Sequence, residues 1–143
     1  MTGLPPALLL DTCAAIDIMN KRPMSEFVLA ALAAASQREG LFVSPVVAWE
    51  VGLLARPTRR PPLAFLPDAR TWMLRLMAGP SIRLAPLSIA IAVESSLLPG
   101  TLHDDPADRL LIATSRAMAM PLVTRDRLIL AYAEAGHIQV IPC

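Results

Sequence analysis

Short apolar runs alternate with helical stretches along the whole chain, and few folds accept that order. The runs are "ALLLDT" at 7–12, "LFVS" at 41–44, "SIRLAPL" at 81–87, "PLVTRD" at 121–126 and "IQVIP" at 138–142. The third alternates in polarity; the first reads as a strand buried on both faces. Between them, "SEFVLAALAAASQREG" at 25–40 has Ser25 as N-cap, strong helix formers and a closing glycine. "SPVVAWEVGLLAR" opens a helix with Ser44 as cap and Pro45 at its first position. Further helices are predicted over 68–79, 88–100, about 106–119 and 127–136, with an Arg/Pro-rich loop at 56–67. Strand–helix–strand order predicts an α/β fold: a parallel twisted sheet of about four to five strands flanked by helices on both faces. No linker or repeat divides the 143 residues, so 1–143 reads as a single domain.

The contents fit a packed interior. Hydrophobic residues make up 55% and charged ones 17%, which excludes a disordered chain. The longest apolar runs, such as "FVLAALAAA" at 27–35, fall short of the ~20 residues of a membrane span. The first residues carry no basic segment or cleavage signal for secretion. Cys13 and Cys143 are the only cysteines, too few for a disulfide framework or a zinc site, so a cytoplasmic location is expected. The net charge of +1 argues against a general polyanion binder. Twelve arginines against Lys21 alone are compatible with a phosphate-bearing partner.

In open parallel sheets, ligands bind beyond the carboxyl ends of the strands. Asp11 and Asp126 stand at two such ends, and Glu50 lies about one and a half turns into the helix after the second strand. The cluster Asp104, Asp105 and Asp108 opens the helix before the strand that carries Asp126. Four acids from distant positions are therefore expected at one edge of the sheet. Gathered carboxylates repel unless a cation neutralises them, and the matching cation is Mg²⁺ or Mn²⁺. His103 and His137 lack a partner at metal-ligand spacing in the sequence. Each acid also has a local reading. Asp11, Asp105 and Asp126 suit helix N-caps, Asp104 a solvated loop and Glu50 or Glu94 a solvated helix face. Asp17, Glu26, Glu39, Asp68 and Glu134 read as surface.

The segments "LLLDTCAAI", "SPVVAWEVGLLA", "LHDDPADRLLIATS" and "PLVTRD" together resemble a PIN-domain protein of the VapC type, the toxin half of a type II toxin–antitoxin pair. They span nearly the whole chain, and "DPADRLLIA…TRD" is their most specific part. The resemblance implies a PIN-like three-layer fold and a Mg²⁺- or Mn²⁺-dependent endoribonuclease. By matching position it implies Asp11, Glu50, Asp108 and Asp126 as catalytic and metal-binding residues. Asp105 becomes a cap beside the site, and Thr12 and Thr124 become polar supports. It also implies an RNA substrate, a VapB-type antitoxin and a homodimer. Two features depart from the pattern: the Arg/Pro-rich stretch at 56–62, and Asp17 where relatives often carry a large apolar residue.

On this reading Asp11, Asp108 and Asp126 are the main ligands, and Glu50 holds a second metal or a water. Arg56, Arg59, Arg60, Arg109, Arg125 and Arg127 are candidates for steering the RNA backbone. A phosphoacceptor domain needs a lysine at a strand end, and Lys21 is badly placed. A haloacid-dehalogenase-type phosphatase needs an aspartate where Cys13 stands. The remaining alternative is a binding module of the same fold with little or no turnover. The helices at 25–38 and 68–78 are rich in Ala, Leu and Met, and either pack on the sheet or leave apolar surface for a partner helix.

Overall fold

The computed structural model describes residues 3–59, 61 and 63–143. Five strands form one all-parallel sheet: β1 (Ala7–Leu10), β2 (Gly40–Val43), β3 (Ile82–Leu84), β4 (Leu122–Thr124) and β5 (Val140–Pro142), in the order β3-β2-β1-β4-β5. The chain starts at the centre, steps outward to β2 and β3, then returns to lay β4 on the other side of β1. The switch point therefore falls between β1 and β4, where open α/β sheets form a crevice.

Helices α1 (Thr12–Met19), α2 (Glu26–Ser36), α3 (Pro45–Leu54), α4 (Ala69–Met77), α5 (Ile89–Glu94), α6 (Pro106–Met118) and α7 (Arg127–Glu134) complete a three-layer fold. α3 packs against α1, α4 and α6, whereas α2 lies on β1 and β2 and α7 on β5. Covered on both faces, the central strands lose their polar alternation: Leu8, Leu9, Leu10, Leu122 and Val123 are fully buried. Ile112 and Leu111 bring the apolar side of α6 into the same core. No helix among the described residues is long and apolar enough to cross a membrane.

Several boundaries shift for local reasons. The helix expected over 88–100 ends at Glu94, because the Ser95 hydroxyl bonds the Ala92 carbonyl (2.6 Å) and Arg109 Nε donates to the Ser95 carbonyl (2.8 Å). The strand expected over 81–87 shrinks to three edge residues, with Pro86 unable to extend the ladder. Gly40 does not cap α2; it begins β2 at φ +115°, where a Cβ would come within 2.9 Å of the Ser81 carbonyl oxygen. Asp17 is buried rather than on the surface, because its carboxylate accepts from Arg22 (3.5 Å) and Arg125 (3.4 Å). The apolar helices bury one side and leave apolar residues exposed on the other. Val28, Ala31 and Ala35 of α2 and Trp72 and Leu76 of α4 join the core, while Phe27, Leu29 and Leu74 stay exposed.

Candidate metal centre

The acids converge because of where the helices begin. Asp11 follows β1 directly and caps α1, its Oδ1 accepting from the Ala14 N–H at 2.7 Å. Its own N–H donates to the Val123 carbonyl, which ties it to β4 across the switch point. Asp126 lies two residues beyond β4 and caps α7, accepting from the Leu128 and Ile129 N–H groups at 2.9 and 3.1 Å. Asp108 sits in the first turn of α6, whose cap Asp105 accepts the Asp108 N–H at 3.0 Å. Glu50 projects from α3 behind β2. A carboxylate at each helix start is favoured by free N–H groups and by the helix dipole, so local capping chemistry delivers acids to the strand ends.

The two threonines brace this arrangement. Thr12, buried at the start of α1, donates its hydroxyl to Glu50 Oε1. Thr124, fully buried at the end of β4, accepts the Asp126 N–H at 3.1 Å and hydrogen-bonds the Asp11 carboxylate. Thr124 thus joins Asp11 to Asp126, and Thr12, next to Asp11 in the chain, ties Glu50 to α1.

The carboxylates feel one another. Burial pushes the Asp11 carboxyl up to about 6, against its bonds to Thr124 and Ala14, and the charges of Glu50 and Asp126 add to the rise. Burial also raises Asp108, to about 7, reinforced by Asp105, Asp126, Glu50 and Asp11. Glu50 is raised by burial and by Asp105, against its bond to Thr12. Buried and half-buried acids, raised first by burial and then by one another, are costly to ionise together. A hard divalent cation relieves that cost, and oxygen donors suit Mg²⁺ or Mn²⁺, so these residues fit such an ion.

One participant escapes a reading by sequence spacing. His103 is not alone: its Nε2 lies 3.3 Å from Asp108 Oδ2. His103, Asp108 and Asp126 each bring one potential ligand atom within 4.8 Å of the others. The loop before α6 folds back over its first turn, a contact that no helical or strand period encodes. The arginines divide. Arg109 donates to the carbonyls of Ser95, Leu102 and His103 at 2.8, 3.3 and 3.1 Å, so its guanidinium fastens the 95–103 loop to α6. Arg125 is paired with Asp17. Arg59 donates to the Pro61 carbonyl, Arg56 and Arg127 are exposed, and Arg60 lies outside the described residues.

Solved structures of similar fold include VapBC2 from Rickettsia felis bound to a promoter DNA fragment. That match has a TM-score of 0.64 and 13% identity, and covers 95% of this chain and 98% of the other. A toxin–antitoxin complex from Klebsiella pneumoniae matches with a TM-score of 0.55 and 21% identity, over 83% of this chain and 86% of that one. FitAcB from Neisseria gonorrhoeae matches with a TM-score of 0.53 and 20% identity, over 94% and 96%. No curated protein matches the chain. The PIN domain family model matches residues 8–141, a span that holds all but the first residue of β1 and the last of β5 together with all the acids described above, and the chain therefore belongs to the PIN domain family.

Proposed function

We propose that this PIN domain is a divalent-metal-dependent endoribonuclease, acting as the VapC-type toxin of a toxin–antitoxin pair. One observation carries the reading: Asp11 and Asp126 stand at the ends of β1 and β4 on either side of the switch point, and Asp126 brings a carboxylate oxygen within 4.8 Å of one from Asp108. A binding module has no need to gather acids so closely. Asp11, Asp108 and Asp126 would hold Mg²⁺ or Mn²⁺, with Glu50 at the far side. When bound, the cation supplies a Lewis acid for the scissile phosphate and makes water a better nucleophile at neutral pH. Thr12 fixes the Glu50 carboxylate through Oε1, so that the other oxygen orients water, and Thr124 keeps Asp11 and Asp126 in register. Exposed Arg56 and Arg127 attract the RNA backbone.

The toxin role rests on the resemblance of the motifs to VapC-type proteins and on the likeness in fold to the toxin–antitoxin complex from Klebsiella pneumoniae. A VapB-type antitoxin would cover exposed apolar residues such as Phe27, Leu29 and Leu74, and exposed Ile89 and Val93 on α5 suit self-association into a dimer. Both proposals place the protein in the cytoplasm.

RNA cleavage with added Mn²⁺ or Mg²⁺ tests the enzyme reading. Asp11→Asn should lower the rate by about 100-fold or more, the equivalent of several kcal/mol of lost charge stabilisation. Equal rates in the two proteins would overturn it, and metal binding without any RNA cleavage would favour the binding module.

A further inference from the structure

Two oxygens of one carboxylate do not have to share a task, and Asp108 has a neighbour that addresses only one of them. His103 Nδ1 accepts the Asp105 backbone N–H at 3.2 Å, so that nitrogen presents a lone pair and the ring proton resides on Nε2. Nε2 is buried without a hydrogen-bond partner and lies 3.3 Å from Asp108 Oδ2. Ligation of a cation through Nε2 would need the proton on Nδ1, where it would oppose the Asp105 N–H. The ring is therefore set up as a donor toward Asp108.

Its mounting is firm. Arg109, next to Asp108 in sequence, grips the carbonyls of Leu102 and His103, so the loop that carries the imidazole is tied to the turn that carries the carboxylate. Asp105 serves both: its N–H fixes the ring, and its side chain takes the Asp108 N–H.

We infer that His103 is a positioning residue for the metal centre: its Nε2–H, unpartnered here but 3.3 Å from Asp108 Oδ2, takes that oxygen when the cation binds, so that the other Asp108 oxygen faces the cation. Carboxylate ligands are commonly oriented by such a partner, and losing one costs about 10–100-fold in metal affinity. The inference rests on the metal-centre reading above.

The test uses the full chain stripped with EDTA and titrated with Mn²⁺, followed by the electron paramagnetic resonance signal of the free ion. His103→Ala should weaken Mn²⁺ binding by about 10-fold or more, with an unchanged thermal midpoint. His103→Gln, which keeps an N–H donor, should recover most of the loss. Pulsed resonance of the Mn²⁺-loaded wild type should show no directly bonded imidazole nitrogen. Unchanged binding in His103→Ala, or equal loss in both variants, overturns the positioning role. A bonded-nitrogen coupling overturns it too, making the histidine a ligand. Failure of the wild type to bind Mn²⁺ overturns the metal-centre reading and this inference with it.

Discussion

A carboxylate at the start of a helix is ordinarily explained by the helix, and Asp11, Asp105 and Asp126 each accept a backbone N–H there. For Asp11 and Asp126 that explanation is incomplete, because both also enter the acidic cluster. Asp105 and Asp108 separate the two jobs. Asp108→Asn is expected to lower RNA cleavage by about 100-fold or more, with the circular dichroism spectrum unchanged. Asp105→Asn keeps a good cap and should cost far less activity. The raised carboxyls also set a pH dependence. Asp11 and Asp108 bind protons more tightly in the folded chain, at about 6 and 7, than at the ordinary value of 3.8. The folded state thus holds more protons across that window, and stability falls as pH rises from about 4 to about 7. In EDTA the thermal midpoint should drop by several degrees between pH 5 and 8. Replacing both residues by Asn should flatten the slope.

Among the elements, α6 carries the most. Its amphipathic pattern buries Leu111 and Ile112, its first turn presents Asp108, and its Arg109 fastens the preceding loop. Its end is less comfortable. Ala119 closes it at φ 53° and ψ 41°, a left-handed conformation that glycine adopts without a Cβ penalty. The Ala119 side chain is exposed, so little packing is at stake. Ala119→Gly should therefore stabilise the protein by up to about 1 kcal/mol, read from the urea midpoint at unchanged slope. α5 shows the opposite limit. Its pattern continues past Glu94, but Ser95 turns its hydroxyl back on the helix and gives its carbonyl to Arg109. That competition comes from a residue 14 positions away.

For the molecule as a whole, the proposed antitoxin contact turns on the exposed apolar residues. Phe27 and Leu29 are 55% and 53% exposed, on a helix whose other side is core. If an antitoxin segment covers them, replacing both by Lys should weaken its capture by at least tenfold in a binding titration, whereas Asp11→Asn should leave the apolar contact intact. Because the two residues lie outside the core, the double variant should fold as the parent does.

The parallel sheet, its strands and six of the seven helices, most with their N-caps, were legible in the chain, because hydrophobic period and capping chemistry are local quantities; α1 over Thr12–Met19 was not read as a helix. The acids at strand ends were legible for the same reason, with motif resemblance separating Asp108 from Asp105. Spacing could not foresee what depends on loops returning through space. It missed His103 against Asp108, because a turn of backbone, not a period, sets that distance. It put Asp17 on the surface, because its partner Arg125 is 108 residues away. It assigned Arg109 to RNA, because nothing local reveals three carbonyls waiting in a loop. Charges and hydrogen bonds between distant residues exist only once the sheet has set its strand order, and in this protein that order brings β1 beside β4 and the acids into one field.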